Sequence, residues 1–206
     1  MIILAFDTCL DKTYVTLRNE TKVIESKILV SNEENYHSAY LISTIVSVLK
    51  NAKLNPKDID IIATDIGPGS FTGIRACTTV ARVLAQQLNI KVVGISSLEI
   101  LSKIRKENDL VVLDARKNKA YVYDNKILGA IELEEVDKIV KGRTVITDDS
   151  LFERVCKNAK NAISYQQSDY PIGEILAEIA KNKDNSEWNT LKPLYIQPPP
   201  VFSQSK

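Results

Sequence analysis

Three apolar segments open the chain, at residues 2–8, 14–17 and 23–30, and only the short polar turns Asp11-Lys12 and Asn19-Glu20-Thr21 separate them. Turns that short can join only antiparallel neighbours, so the chain must begin with a three-strand meander. Helical periodicity then spans residues 36–52 and stops before Asn55-Pro56, where proline bars continuation. Residues 59–66 read as a buried strand, 72–88 as a helix, 90–95 as a strand and 98–106 as a short helix.

The second half restarts the theme. Residues 110–113 and 120–123 form hairpin partners across the polar turn Asp114-Ala115-Arg116-Lys117-Asn118-Lys119. A short strand is expected at 145–147, and helices at 150–158 and 171–181, each with a recognisable start signal. A polar turn at 182–186 leads to Leu194-Tyr195-Ile196 and to Pro198-Pro199-Pro200, expected as extended polyproline II. A meander followed by alternating helices and strands predicts an α/β fold of the ribonuclease H-like or actin-like ATPase type. Rossmann-like sheets alternate too, but without the opening meander. Two related subdomains with mixed sheets are expected, residues 1–100 and residues 101–206, the second carrying the Pro-rich tail.

Charge narrows the function. The 206 residues carry 27 basic and 26 acidic side chains, for a formal net charge of +1. A protein that grips nucleic acid alone concentrates a basic surplus, so tight binding of RNA by this chain by itself is not expected. The apolar N-terminus lacks the basic region of a signal peptide, and no run approaches the roughly 20 apolar residues of a membrane helix. Cys9, Cys77 and Cys156 are odd in number and show no CxxC spacing. Neither a disulfide framework nor a metal site is therefore expected, and a reducing cytoplasm is.

The strongest local signal is Gly67-Pro68-Gly69-Ser70-Phe71-Thr72-Gly73-Ile74-Arg75, between a buried strand and an apolar helix. Glycine permits backbone angles that a side chain forbids, Pro68 stiffens the turn, and Ser70 or Thr72 can cap the helix. Two readings stand: a rigid strand-to-helix turn, or a phosphate cradle at a helix N-terminus. The Gly-Lys-Ser/Thr ending of the Walker loop is absent.

This run resembles the GPGSFTG(L/V)R signature of the TsaB family, and elements in the same order agree along the whole chain. Asp7-Thr8 matches a DT(S) element, Ser97-Leu98-Glu99 an SLE segment, and Asp114-Ala115-Arg116-Lys117 with Tyr121 a DAR(R/K)…Y hairpin. Pro193-Leu194-Tyr195-Ile196 resembles a C-terminal P-x-Y-L/I-R. The resemblance implies an actin-like fold without catalytic residues. It implies a partner subunit for TsaD, which places the threonylcarbamoyl group on adenosine 37 of tRNAs, with the ATPase TsaE joining through that pair. A homodimer is expected when the chain is alone, with tRNA met only within the complex. No cofactor is expected on the chain alone, and any nucleotide belongs at the interface of the complex.

The chain departs from the pattern in several places. TsaD-type enzymes carry His-x-x-x-His on a helix, whereas here His37, the single histidine, is followed four residues later by Leu41. One imidazole cannot make that metal site. Cys77 stands two residues after the signature arginine, where the family has glycine, and Gln197 replaces the terminal arginine.

Two helices suggest a docking surface. From residue 35 to residue 49 there is no Asp, Glu, Lys or Arg, although a water-facing helix normally carries charge. The candidate interface comprises Tyr36, His37, Tyr40, Leu41, Ser43, Thr44 and Ser47 on the first helix, and Ile74, Arg75, Thr78, Thr79 and Arg82 on the second. Such faces suit burial on both sides, sheet beneath and another subunit above, so a charge placed at Ile42 or Val46 is expected to abolish association and leave a folded monomer. The alternative is a metal-dependent hydrolase or ATPase using Asp7, Asp65 and Asp114, each at a strand end. Arg116, Lys117 and Lys119, with Arg75 and Arg82, are candidates for positioning RNA or nucleotide in a larger assembly.

Overall fold

A strand buried on both faces must be apolar throughout, and Ile3-Leu4-Ala5-Phe6 meets that requirement. The computed structural model describes residues 1–30, 37–105 and 109–197, with the backbone alone at His37 and Ser38. Expectations for Tyr36, the His37 side chain and the proline tail lie outside the described residues. In it β1 (Ile3–Asp7) is wholly buried at the centre of a five-stranded sheet. The others are β2 (Lys12–Arg18), β3 (Val23–Val30), β4 (Ile61–Asp65) and β5 (Lys91–Ile95), in the order β3-β2-β1-β4-β5. Ile3 faces Arg18 and Asp7 faces Tyr14 in the antiparallel pair, while Ile3 lies beside Ile61 in the parallel one. The meander inferred from the short turns is present.

A 3₁₀ turn at His37–Tyr40 leads into α1 (Leu41–Ala52), which ends where Lys53 turns left-handed (φ 55°) and donates to the Leu49 and Lys50 carbonyls. Ser70 caps α2 (Phe71–Leu88), its Oγ accepting the Gly73 N–H at 3.2 Å. Both helices cover one face of the sheet: Leu41, Ile45, Val48, Ala81 and Ala85 pack with Leu4, Phe6, Val15 and Leu17. A third helix, α3 (Ser97–Leu101), follows β5 with Ser96 as its cap. It is shorter than the expected 98–106, because the chain turns from Ser102, whose hydroxyl donates to the Glu99 carbonyl at 2.8 Å.

The second sheet comprises β6 (Leu110–Arg116), β7 (Lys119–Tyr123), β8 (Ile127–Glu132), β9 (Thr144–Thr147) and β10 (Asn161–Ser164). Its order, β8-β7-β6-β9-β10, repeats the first sheet strand for strand. The meander β6–β8 is antiparallel, and β9 and β10 are parallel additions. Helices α4 (Leu133–Ile139) and α5 (Asp149–Asn158) cover one face, with Val136, Leu151 and Val155 packed on Leu110, Val112 and Val122. Sequence reasoning missed β8, α4 and β10.

The last helix, α6 (Ile172–Lys181), belongs to residues 101–206 by sequence but packs on β1 and β2 of the first sheet. Ile172, Leu176, Ala177 and Ala180 fill a core shared by Ile3, Ala5, Ile95, Val111, Leu113 and Ile146 from both sheets. The layers run α1 and α2, first sheet, α6 with α3, second sheet, α4 and α5. Among the described residues no helix is long and apolar enough to cross a membrane.

Candidate functional site

The glycine loop sits where β1, β4, α2 and α3 meet. A Cβ on Gly73 would lie 1.8 Å from the Thr8 carbonyl oxygen, and one on Gly69 2.3 Å from that of Cys9. Both glycines are therefore required by the approach of α2 to the end of β1. Three of the loop's backbone donors are engaged within the fold: Gly67 N–H to Asp65 Oδ1 at 2.6 Å, Ser70 N–H to the Cys9 carbonyl at 2.8 Å, and Ile74 N–H to the Ser70 carbonyl at 2.8 Å. The Gly67 carbonyl accepts from Ser97 N–H at 2.9 Å, and the Leu194 N–H donates to the Ile66 carbonyl at 2.8 Å. Tyr195 stacks on Phe71 with ring centroids 5.8 Å apart, and Arg75 lies 5.3 Å over the same ring. The loop, the Ser97 segment and the C-terminal motif thus form one joint, and close packing accounts for the glycines of the run.

Beneath the joint is a buried polar cluster. Asp7 Oδ1 accepts the Cys9 N–H at 2.5 Å, and Asp65 Oδ1 accepts the Ser97 hydroxyl at 2.8 Å. Both outer oxygens, Asp7 Oδ2 and Asp65 Oδ2, are buried, with no hydrogen-bond partner beyond the other carboxyl. Burial, then repulsion from Asp65, pushes the Asp7 carboxyl well above the usual range, and burial lifts Asp65 to about 6. Burial also raises Cys9. It would raise Cys77, but hydrogen bonds from Cys9 and Thr8 outweigh it and hold that thiol below its ordinary value. Among the described residues, the ligand atoms of Asp7, Cys9 and Cys77 lie within 4.8 Å of one another. Only one of the three acidic residues of the catalytic alternative belongs to this group. Asp7 and Asp65 are sealed from solvent, and Asp114 stands on the second sheet, its Oδ1 accepting the Arg116 N–H at 2.8 Å.

Between the sheets opens a cleft of about 570 Å³, with Cys9, Gly69 and Ser70 on one wall and Asp114, Arg116, Asp148 and Asp149 on the other. Its lining carries Asp11, Asp114, Asp148 and Asp149 against Arg116, which already pairs with Asp114 at 3.2 Å. Such a lining repels polyphosphate. Arg75, Arg116 and Lys117 meet along a separate groove beside Phe71 and Tyr195. Arg82 lies 5.8 Å over Trp188, and Lys119 pairs with Glu132 at 3.1 Å.

The proposed docking residues divide. Tyr40, Ser43, Arg75 and Thr79 are exposed, and Ser47 and Arg82 half-buried. Leu41, Thr44, Ile74 and Thr78 are buried in the monomer and offer no surface to a partner. Leu41 and Ile74 are core side chains. Thr44 and Thr78 tolerate burial because each hydroxyl donates within its own helix, to the Tyr40 carbonyl at 2.7 Å and the Ile74 carbonyl at 2.8 Å. Apolar residues share the outward side with Tyr40, Ser43, Arg75 and Thr79: Ile42 is 63% and Val46 59% exposed on α1, and Phe71 54% and Val83 52% on α2. Leu41, Ile45, Val48 and Leu49 fill the contact with the sheet, which leaves Ile42 and Val46 outside.

Residues 27–188 match the family model of TsaD, the tRNA N6-adenosine threonylcarbamoyltransferase. The TsaB protein of Bacillus subtilis is 28% identical over 96% of this chain and 94% of its own length. The TsaB protein of Buchnera aphidicola from Schizaphis graminum is 38% identical over a stretch covering 58% of each protein. The YeaZ structure from Pseudomonas aeruginosa superposes with a TM-score of 0.72 at 21% identity, over 94% of this chain and 99% of that one. Shared topology, the glycine joint and these matches place the chain in the TsaB (YeaZ) family, within the group described by the TsaD model.

Proposed function

We propose that this chain is a non-catalytic subunit in the synthesis of N6-threonylcarbamoyladenosine at adenosine 37 of tRNA, and that it docks on TsaD through α1 and α2. The carrying observation is the exposed apolar pair Ile42 and Val46 on α1, a helix whose opposite face already holds the core. Apolar surface left in water by the monomer gains about 25 cal/mol per Å² when a partner covers it. The names borne by the relatives supply the pathway. TsaE joins through the TsaD pair, and the same face closes a homodimer when TsaD is absent. Nucleotide and tRNA are met only in the assembly, where the groove bearing Arg75 and Lys117 offers positive charge.

The catalytic alternative fares worse on geometry. Asp7 and Asp65 cannot reach a substrate, which leaves Asp114 as the one member of the three on the accessible cleft. The test is Ile42→Asp with Val46→Glu, read by co-purification with TsaD and by the modified-base content of tRNA in cells. Association and modification should both fall while circular dichroism and Tm stay near the parent's. A doubly charged variant that still carries TsaD through purification refutes the docking face. Turnover of ATP or RNA by the purified chain with magnesium, lost on Asp7→Ala, refutes the non-catalytic reading.

A further inference from the structure

We propose that Asp7, Cys9 and Cys77 form a binding site for a thiophilic divalent cation of the zinc class, clamping the end of β1 to α2. The sulfurs and the carboxylate oxygen lie within 4.8 Å of one another and are fully enclosed. A tetrahedral zinc site, with metal–sulfur bonds of about 2.3 Å and metal–oxygen bonds of about 2.0 Å, holds its ligand atoms roughly 3.5–3.8 Å apart. Closing the group by about 1 Å from its widest spacing therefore completes three corners of such a site.

A second, independent observation points to a ligand. Asp7 spends Oδ1 on the Cys9 N–H, and Oδ2 is left in the interior with no partner beyond the Asp65 carboxyl. A buried carboxyl so poorly matched is costly, and a cation satisfies it. The Thr8 N–H donates to Cys77 Sγ at 3.2 Å, and the Thr8 hydroxyl stands at the same distance. Backbone N–H bonds to a ligand sulfur steady its orientation in closed metal sites.

Both sulfurs also sit at this chain's own departures from the motifs described above: Cys9 follows Asp7-Thr8 where the element reads DT(S), and Cys77 occupies the glycine position. No local spacing links them, since one ends a strand and the other rises from the second turn of a helix. Cys9 lines the interdomain cleft, which provides the way in. The expectation of no metal, drawn from the missing CxxC and His-x-x-x-His, concerned sequence spacing alone.

The experiment uses the full-length chain, reduced, stripped with a chelator and titrated with Co²⁺ and then Zn²⁺. One Co²⁺ per chain is expected, with a thiolate-to-cobalt charge-transfer band in the near ultraviolet, tetrahedral visible bands and displacement by Zn²⁺. Cys9→Ser and Cys77→Ala should each weaken Co²⁺ by more than about tenfold, since even outer-shell changes cost that much. Asp7→Asn, near-isosteric and readable if a cysteine variant fails to fold, should weaken it similarly. Cys156→Ser, remote and exposed, should leave the band unchanged. The proposal is overturned if the reduced wild-type chain takes up no Co²⁺ or Zn²⁺. It is equally overturned if the band survives Cys9→Ser and Cys77→Ala or vanishes with Cys156→Ser.

Discussion

Replacing Gly73 by alanine separates packing from ligand binding as the reason for the glycine joint. The new Cβ would sit 1.8 Å from the Thr8 carbonyl oxygen and 2.7 Å from its carbon, where ordinary contact begins at 3.4 Å. Both obstacles are backbone, so no rotamer change relieves them, and the start of α2 must withdraw by about 1.6 Å, the difference of those distances. That movement stretches the bond from the Thr8 hydroxyl to the Gly73 carbonyl, now 3.0 Å, and the one from Ser70 N–H to the Cys9 carbonyl. Overpacking costs about 1–3 kcal/mol, and each weakened hydrogen bond about 1 kcal/mol. The helix preference of alanine over glycine returns up to about 1 kcal/mol. The net loss of about 2–4 kcal/mol corresponds to a Tm fall of about 5–15 °C in a chain of this size. The assay is thermal unfolding followed by circular dichroism, with Gly142→Ala as reference. Gly142 has nothing within 4 Å of its would-be Cβ, so only its left-handed backbone (φ 74°) penalises the change, by about 1–2 kcal/mol. A Gly73→Ala protein no less stable than Gly142→Ala would refute the packing argument and return the loop to the phosphate reading.

Three other outcomes follow from the same contacts. Leu176→Ala should cost about 2–5 kcal/mol, because the side chain is fully buried in the layer both sheets share. Its unfolding should remain a single transition by differential scanning calorimetry; two transitions would show the halves to be independent. Asp124→Asn removes a two-point pair with Arg143, at 2.7 and 2.9 Å, whose hydrogen bonds hold the Asp124 carboxyl below its ordinary value of 3.8. For a depressed carboxyl the stabilising contribution exists above the unfolded value and disappears as pH falls through the folded one. The Asn variant should therefore lose at most about 1 kcal/mol at neutral pH in urea melts, a deficit that shrinks once the pH drops below 3.8. A deficit that persists in stronger acid would contradict this. The single change Ile42→Asp should leave Tm almost unaltered, since the side chain is 63% exposed, and a fall as large as that of Leu176→Ala would mean its face is structural.

The first sheet was legible because each of its signals is strong. Fully buried strands give unbroken apolar runs such as Ile3-Leu4-Ala5-Phe6, and the short turns dictate their pairing. β8 escaped because Ile127 and Leu128 are exposed and Gly129 interrupts the run. α4 buries only Val136, and β10 is a four-residue edge strand with a single buried residue, so neither imposes a period on its sequence. At the site, the glycine joint could be read locally because Gly, Pro and a cap cluster in one segment. The outward side of α1 could not: Leu41, Ile42, Ile45 and Val46 are equivalent as text, and only packing shows which pair meets the sheet. The Asp7–Cys9–Cys77 group was invisible for a related reason, since a sequence separation of 68 residues between its sulfurs carries no periodicity.

Because α6 comes from near the end of the chain yet seats on strands from its beginning, synthesis on the ribosome runs against the order of packing. A nascent first half leaves the exit tunnel with Ile3, Ala5, Val93 and Ile95 uncovered on one side of its sheet, awaiting residues translated last. The keystone therefore arrives after the arch. Chains released before residue 181 lack part of it, which makes premature termination late in the message as damaging to the opening strands as to the closing ones.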